Sequence, residues 1–253
     1  MFGALQSSFN ATSETVPMLR TLLTLGCFIL LGLSTAYAKP LVATAPHIGD
    51  RTINLDGFAN EAVWKSAAAL DGFSVYRPRA GIPPRFKANA RVLRDKEALY
   101  VLVRVGIPKA DVFAPLIKRD GSPDGDRVSI IIDSLATGQQ GYLFITGAGG
   151  YLSDGLMTVQ TGNVDVAWDS LFDAKTQQDD EGWTAEIRIP FQSLRFTDTT
   201  EAWGLHILVE GWKHQQTLSW VPIDRDKTNF VGQAAPLRGI EGAVPGRAFE
   251  LLP

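Results

Sequence analysis

The chain has 253 residues, 45% hydrophobic and 20% charged, which is enough apolar material for the core of one large domain. Its 24 basic and 27 acidic side chains leave a net charge of −3, without the basic excess of nucleic-acid binders, so no nucleic-acid partner is expected. A single cysteine and three scattered histidines exclude disulfide scaffolds, zinc fingers and the His-Glu-x-x-His signature of metalloproteases.

The first part of the chain predicts a secretion signal. A basic start at Met18–Arg20 is followed by an apolar run, Leu22–Leu33, and by small residues that suit a cleavage before Lys39. This is the three-part pattern of a signal peptide over residues 18–38, and the run is shorter than the ~20 residues that span a membrane. Residues 1–17 are interpreted as a misassigned start. We expect an exported protein, in the periplasm, at the outer membrane or outside the cell.

The mature chain begins with a polar lead-in at residues 39–50. Ile53–Gly57 then predicts a short strand that ends in a turn. A short helix is predicted over residues 60–67, with Asn60 as its N-cap, because an Asn immediately before an apolar stretch is typical of a helix start.

Alternating apolar and polar residues predict strands for most of the remaining chain. Residues 88–93 and 98–105 flank a short polar turn and therefore predict a hairpin. Further strands are predicted at Arg127–Ile132, Tyr142–Thr146, Trp183–Ile189, Leu205–Glu210 and Leu218–Val221, with loops at residues 119–126, 147–150 and 177–182. The sequence thus predicts an all-β fold, one β-sandwich over residues 51–242, followed by a tail at 243–253.

Several segments, taken in order, resemble carbohydrate-binding module family 9. They are Leu55-Asp56-Gly57, Glu61 and Trp64; Val92-Leu93, Asp95 and Ala98–Val101; Lys118–Asp120, Asp126–Val128 and Ile132-Asp133; Gly141–Phe144; Trp168-Asp169; Gly182–Phe191 and Leu194–Phe196; Trp203-Gly204; and Trp220. The resemblance implies a jelly-roll-like antiparallel sandwich, which agrees with the strand pattern described above. It also implies a non-catalytic module that binds an oligosaccharide or polysaccharide and assists polysaccharide degradation.

The resemblance is closer still to the family-9-like domain that precedes an outer-membrane β-barrel in large bacterial proteins of unassigned function. In those relatives a Gly-Arg…Glu-Leu-Leu-Pro segment leads into the first barrel strand, and Gly246–Pro253 matches that segment. The alternative function is therefore a periplasmic accessory domain of a truncated outer-membrane barrel protein, which contacts a barrel partner and binds no sugar.

In the sugar pocket of family 9, two tryptophans sandwich the sugar while Glu, Arg and Asn side chains bind its hydroxyls. The resemblance implies that the polar positions fall at Ser129, Ile145 and Gly147, and the aromatic positions near Pro123 and Phe230. None of these residues supplies a carboxylate, a guanidinium or an amide, so a site at these positions would read sugar hydroxyls poorly.

Aromatic side chains are the remaining means of holding a sugar. Of the six tryptophans, four belong to motifs that we expect to serve core packing: Trp64, Trp183, Trp203 and Trp220. The candidate ligand-binding residues are therefore Trp168, Trp212 and Phe230.

Acidic residues in the loop at 119–126 suggest a metal site. Asp120, Asp124 and Asp126 offer the oxygen ligands that calcium prefers, and some family-9 modules carry structural calcium. The alternative is that these aspartates cap backbone groups in Gly-rich turns. Structural calcium is the one cofactor that the sequence suggests.

Glycoside hydrolysis would need two carboxylates roughly 5–10 Å apart, one of them with a raised pKa. No such pair stands out in the sequence, so no catalytic residue is assigned. Glu186 alternates with apolar residues in its predicted strand. We expect it on the outer face of a sheet, in an ion pair with Arg119, Arg127 or Arg188.

Overall fold

The computed structural model describes residues 41–121, 124–159, 164–197 and 200–244. The expected leader at 18–38, residues 1–17 and most of the expected tail at 243–253 lie outside the described residues. In the part of the chain that is described, no helix is both long enough and apolar enough to cross a membrane.

The described residues form thirteen strands and four short 3₁₀ helices. The strands are β1 (Ala43–Thr44), β2 (Ser74–Arg77), β3 (Lys87–Arg94), β4 (Ala98–Gly106), β5 (Arg127–Asp133), β6 (Gln140–Gly147), β7 (Leu152–Thr158), β8 (Val164–Asp165), β9 (Asp173–Asp179), β10 (Gly182–Pro190), β11 (Trp203–Gly211), β12 (Gln216–Ser219) and β13 (Ala235–Arg238). The 3₁₀ helices are Ala62–Ser66, Lys109–Asp111, Phe191–Ser193 and Val231–Gln233.

The strands form two sheets, which confirms the predicted β-sandwich. In the nine-stranded sheet the order is β1-β13-β11-β5-β6-β7-β8, and β12 pairs with both β11 and β2. In the four-stranded sheet the order is β3-β4-β10-β9. Every pairing between these strands is antiparallel except that of β1 with β13.

The main core contains one face of each sheet, because successive side chains of a strand point to opposite faces. Val128, Ile130 and Ile132 of β5 point into it, whereas Arg127 and Ser129 point away. The predicted hairpin over β3 and β4 supplies the facing apolar side chains. The four tryptophans expected in the core are all at most 3% exposed: Trp64, Trp183, Trp203 and Trp220.

Three local predictions were wrong. Residues 53–57 form no strand, and the predicted helix is the 3₁₀ helix Ala62–Ser66, whose N-cap residue is Glu61 and not Asn60. The predicted loop at 177–182 is largely strand, because β9 extends to Asp179 and pairs with β10. The polar sequence of β9 concealed this strand, since its stability comes from the ladder with its neighbour and not from apolar burial.

Candidate functional site

The face of the nine-stranded sheet that points away from the core carries a groove of about 380 Å³, within the size range of small-ligand sites. Side chains that alternate with core positions line this groove. They are Tyr76 and Arg77 of β2; Arg127, Ser129 and Ile131 of β5; Leu143 and Ile145 of β6; Met157 of β7; Leu208 and Glu210 of β11; Thr217 of β12; and Phe230.

The floor of the groove is aliphatic. It is formed by Ile131, Leu143, Ile145, Met157 and Leu208, of which the first two are buried and the others are half-buried. A floor of this kind favours a ligand that presents an apolar face, such as the C–H face of a ring.

An ion pair lies beside this floor. Arg127 and Glu210 are direct cross-strand partners on β5 and β11, and the guanidinium Nη2 lies 2.5 Å from the carboxylate Oε2. Burial raises the pKa of Glu210, an effect that the positive charges of Arg127 and Arg77 oppose. The side chains are only 21% and 24% exposed, so both charged groups are largely shielded from water, and both residues line the groove.

Aromatic rings form another wall of the groove. The ring centroids of Tyr76 and Phe230 are 6.1 Å apart, with an interplanar angle of 56°. The guanidinium carbon of Arg77 lies 5.3 Å from the Tyr76 centroid, and that of Arg225 lies 6.0 Å from it. Both cations thus lie within cation–π distance of the Tyr76 ring.

An irregularity in the strand pairing directs Tyr76 into the groove. Thr217 of β12 pairs with Arg77, whereas the next residue, Leu218, pairs with Val75, so Tyr76 has no partner in this ladder. An extra residue of this kind changes the direction of a side chain. As a result, both Tyr76 and Arg77 line the groove although they are consecutive.

The three aromatic residues predicted to bind a ligand lie in different places. Phe230 lines the groove. Trp212 follows β11 directly, is 42% exposed and lies with its ring centroid 5.9 Å from that of Phe113. Trp168 packs on the core side, with ring centroids 5.2 Å from Tyr142 and 6.1 Å from Phe144, so the structure does not bring it to the groove.

Two of the polar positions implied by the family resemblance, Ser129 and Ile145, do line the groove. Gly147 lies against the ring of Tyr151 instead, and Pro123 lies outside the described residues. Glu210 and Arg127 place a carboxylate and a guanidinium in the groove from other positions of the chain.

The three aspartates predicted to bind calcium are not brought together. Asp126 is buried, and its two carboxylate oxygens accept from separate backbone N–H groups, those of Trp212 at 2.8 Å and Phe113 at 3.4 Å. Burial raises the pKa of Asp126, and these two hydrogen bonds oppose that rise. Asp124 is exposed and belongs to no acidic group among the described residues.

Asp120 instead lies with Asp154 and Asp169, and one oxygen from each lies within 4.8 Å of the others. Three carboxylates suit a hard cation. However, the guanidinium of Arg119 contacts all three, with Nη2 at 2.6 Å from Asp154, Nη2 at 3.3 Å from Asp169, and Nε at 3.5 Å from Asp120. The arginine thus supplies positive charge to this group, and calcium binding stays a prediction.

The expectation that Glu186 forms an ion pair was wrong. Its side chain lies on the outer face of β10, as the alternation predicted, but it is fully buried there. It accepts from the backbone N–H groups of Asp56 at 3.1 Å and Gly57 at 2.8 Å, and from the indole N–H of Trp64 at 3.1 Å. Burial raises its pKa. These bonds hold residues 56–57 against the outer face of β10.

Sequence reasoning missed Tyr76, Arg77 and Glu210 as groove residues. One signal was available, since Arg127 and Glu210 each share the outward face of a predicted strand with apolar residues. That these two strands are neighbours, and that these two residues pair, is a matter of long-range register.

The comparisons with known proteins agree with this architecture. Residues 55–229 match the family model described as "Carbohydrate family 9 binding domain-like". No curated protein matches the chain.

Solved structures share the fold. A carbohydrate binding module family 9 from Caldicellulosiruptor kristjanssonii, in complex with cellotriose, superposes with a TM-score of 0.55 at 15% identity, covering 84% of this chain and 97% of that one. Its complex with glucose gives a TM-score of 0.55 at 16% identity, with 84% and 100% covered. A candidate carbohydrate-binding protein from Bacteroides uniformis ATCC 8492 gives 0.62 at 14% identity, with 79% and 99% covered.

The jelly-roll pattern of the strands, the ordered motifs and the match over residues 55–229 agree with one another. The chain belongs to the carbohydrate family 9 binding domain-like family.

Proposed function

We propose that this protein is a non-catalytic saccharide-binding module and that the groove on the nine-stranded sheet is its binding site. The observation that carries the proposal is the combination of the Tyr76–Phe230 pair, the aliphatic floor and the Arg127–Glu210 pair in one groove. A pyranose has C–H faces and equatorial hydroxyls, so it needs both an aromatic or aliphatic surface and charged hydrogen-bonding groups.

Each partner of the ion pair has a distinct role in this proposal. The Glu210 carboxylate accepts hydrogen bonds from sugar hydroxyls, while the Arg127 guanidinium donates to hydroxyl or ring oxygens. Because Arg127 and Glu210 fix each other, little side-chain entropy is lost when a sugar binds. Glu210 acts here as a hydrogen-bond acceptor held by its arginine, and not as a general acid.

The glucose and cellotriose bound by the structural neighbours support the choice of gluco-oligosaccharides as first probes. The same proposal includes export through the predicted signal at 18–38 and a supporting role in polysaccharide degradation at the cell envelope. Cell fractionation with and without residues 18–38 tests the export.

Isothermal titration of the purified protein against xylo- and gluco-oligosaccharides tests the binding. We expect heat with at least one series, and its loss in Phe230→Ala. The matched control is Phe58→Ala, because Phe58 is 60% exposed but does not line the groove. The absence of heat with every saccharide would overturn the proposed function.

A further inference from the structure

The groove does not end at the ion pair. A second depression of about 420 Å³ adjoins it and is lined in part by the same four residues, namely Arg77, Arg127, Glu210 and Thr217. Its other lining residues are Gly211, Trp212, Gln215 and Gln216. The Arg127–Glu210 pair therefore stands between two connected halves of one longer groove.

The second half has its own aromatic residue, Trp212, and Phe113 packs against it without lining the depression. Trp212 is 42% exposed and Phe113 is 37% exposed, with ring centroids 5.9 Å apart. Both rings come from loops, but their backbones are fixed, because the two oxygens of the buried Asp126 carboxylate accept from their two N–H groups. Asp126, one of the three residues predicted to bind calcium, is thus a positioning residue for this aromatic pair.

The two glutamines of the second half differ in how far their side chains are exposed. The Gln216 side chain is buried and engaged with the backbone of residues 83–85, through bonds with Arg85 N and Pro83 O. Gln215 is exposed and lines the depression. The second half therefore combines a polar amide, that of Gln215, with an aromatic ring, that of Trp212. The first half combines charged groups with aromatic rings.

The separation of the two aromatic walls follows from strand geometry. Phe230 stacks on His206 of β11, and Trp212 lies six residues after His206 in the direction of that strand. At ~3.3 Å per residue, Phe230 and Trp212 are therefore about 20 Å apart along the strand. Tyr76 lies between them, at the register of Val209 and Glu210. A monosaccharide contacts one wall only, whereas a chain of several sugar units contacts both.

From this we infer, on the basis of the proposed function, that the ligand is an extended oligosaccharide or polysaccharide chain. It spans both halves of the groove and stacks on Tyr76–Phe230 at one end and on Trp212, supported by Phe113, at the other. Affinity then rises with chain length beyond the disaccharide.

A length series tests this inference. Titration with glucose and the cello-oligosaccharides up to cellohexaose should show affinity rising past cellobiose. Trp212→Ala should lower the affinity for cellohexaose about three- to tenfold, the effect of one aromatic contact, and leave that for the shortest bound sugar unchanged. Trp212→Phe should retain most of the affinity, and Phe58→Ala should have no effect. The corresponding xylo-oligosaccharide series serves if the cello series gives no heat.

The outcomes are distinguishable. If neither oligosaccharide series gives heat, the proposed function is wrong and so is the extended site. If binding occurs but is independent of length, or if Trp212→Ala weakens every length equally, the extended site is wrong while the proposed function stands. If sedimentation shows a dimer of this chain that Trp212→Ala dissociates, and affinity does not depend on length, the Trp212–Phe113 surface is an interface and the inference is likewise overturned.

Discussion

His206 stacks against Phe230, one of the two aromatic residues that line the groove. The two ring centroids are 4.5 Å apart at an interplanar angle of 28°, and the imidazole Nε2 lies 3.0 Å from the Phe230 carbonyl oxygen. Because a carbonyl only accepts, Nε2 must carry the proton of a neutral imidazole. One buried histidine thus fixes both the ring and the backbone of Phe230.

This arrangement makes stability depend on pH. Burial lowers the pKa of His206 to about 4, from 6.5 in an exposed histidine. Between these values the unfolded chain binds a proton that the folded protein excludes, so the free energy of unfolding contributed by His206 falls as the pH drops through that window. The expected loss is on the order of 3 kcal/mol by pH 4, with no contribution above about pH 6.5.

Urea unfolding at a series of pH values checks this prediction. The comparison is with His206→Gln, which keeps a donor for the Phe230 carbonyl but does not titrate. Buried carboxyl groups with raised pKa values, such as Glu186, act in the opposite direction, so the difference between the two proteins is the relevant quantity. His47→Gln, at an exposed histidine, is the control. Parallel pH profiles of the wild type and His206→Gln would contradict the prediction.

Glu210 gives a prediction on binding. Glu210→Gln keeps the shape of the side chain but removes its charge, so we expect saccharide affinity to fall about tenfold, the value of one charge-assisted hydrogen bond. Since burial raises the pKa of Glu210, wild-type affinity should begin to fall at a higher pH than an exposed glutamate would give. Titration calorimetry between neutral and acidic pH measures both effects.

The control for Glu210 is Asp179→Asn. It removes a carboxylate from a similar ion pair, Arg104–Asp179 at 2.6 Å, on the four-stranded sheet away from the groove. If Asp179→Asn weakens saccharide binding as much as Glu210→Gln does, the effect is not specific to the groove and the role of Glu210 is wrong.

The sequence was sufficient for the sandwich because its central strands alternate strongly. In β10 (Gly182–Pro190), Trp183, Ala185 and Ile187 face the core, and the period of two is unambiguous. It was insufficient for β7 (Leu152–Thr158), which contains Ser, Asp and Gly. That strand depends on pairing with its neighbour β6, which local composition does not report.

The site was less predictable than the fold. Phe230 could be chosen from residue type, but Tyr76 reaches the groove only because the register between β2 and β12 shifts at that residue. Asp126 resembles a calcium ligand in sequence, yet it binds two backbone groups that lie 13 and 86 residues away. Such contacts depend on the folded arrangement of distant loops and leave no local signal.

Glu186 is expected to be a major stabilising residue of the four-stranded sheet. Glu186→Ala leaves the N–H groups of Asp56, Gly57 and Trp64 without their acceptor, and those of Gly57 and Trp64 are buried. Each unsatisfied donor costs ~1–3 kcal/mol, partly recovered by water, so we expect a loss of roughly 3 kcal/mol in urea unfolding. Glu97→Ala is the control, because the Glu97 side chain is 81% exposed. A loss similar to that of the control would show that the three contacts contribute little.

The group formed by Arg119 with Asp120, Asp154 and Asp169 allows a cation site to be tested. Asp154 is only 1% exposed at its side chain, and burial raises its pKa while Arg119 opposes that rise. Arg119→Ala removes this partner and should cost about 2 kcal/mol, less than a fully buried pair because Arg119 itself is 39% exposed.

With the guanidinium gone, the oxygens of Asp120, Asp154 and Asp169 form a cluster suited to a hard cation, so added calcium should raise the Tm of the variant more than that of the wild type. Thermal unfolding in calcium and in chelator measures this difference. Equal Tm values with and without calcium in both proteins would exclude a cation site at these three carboxylates.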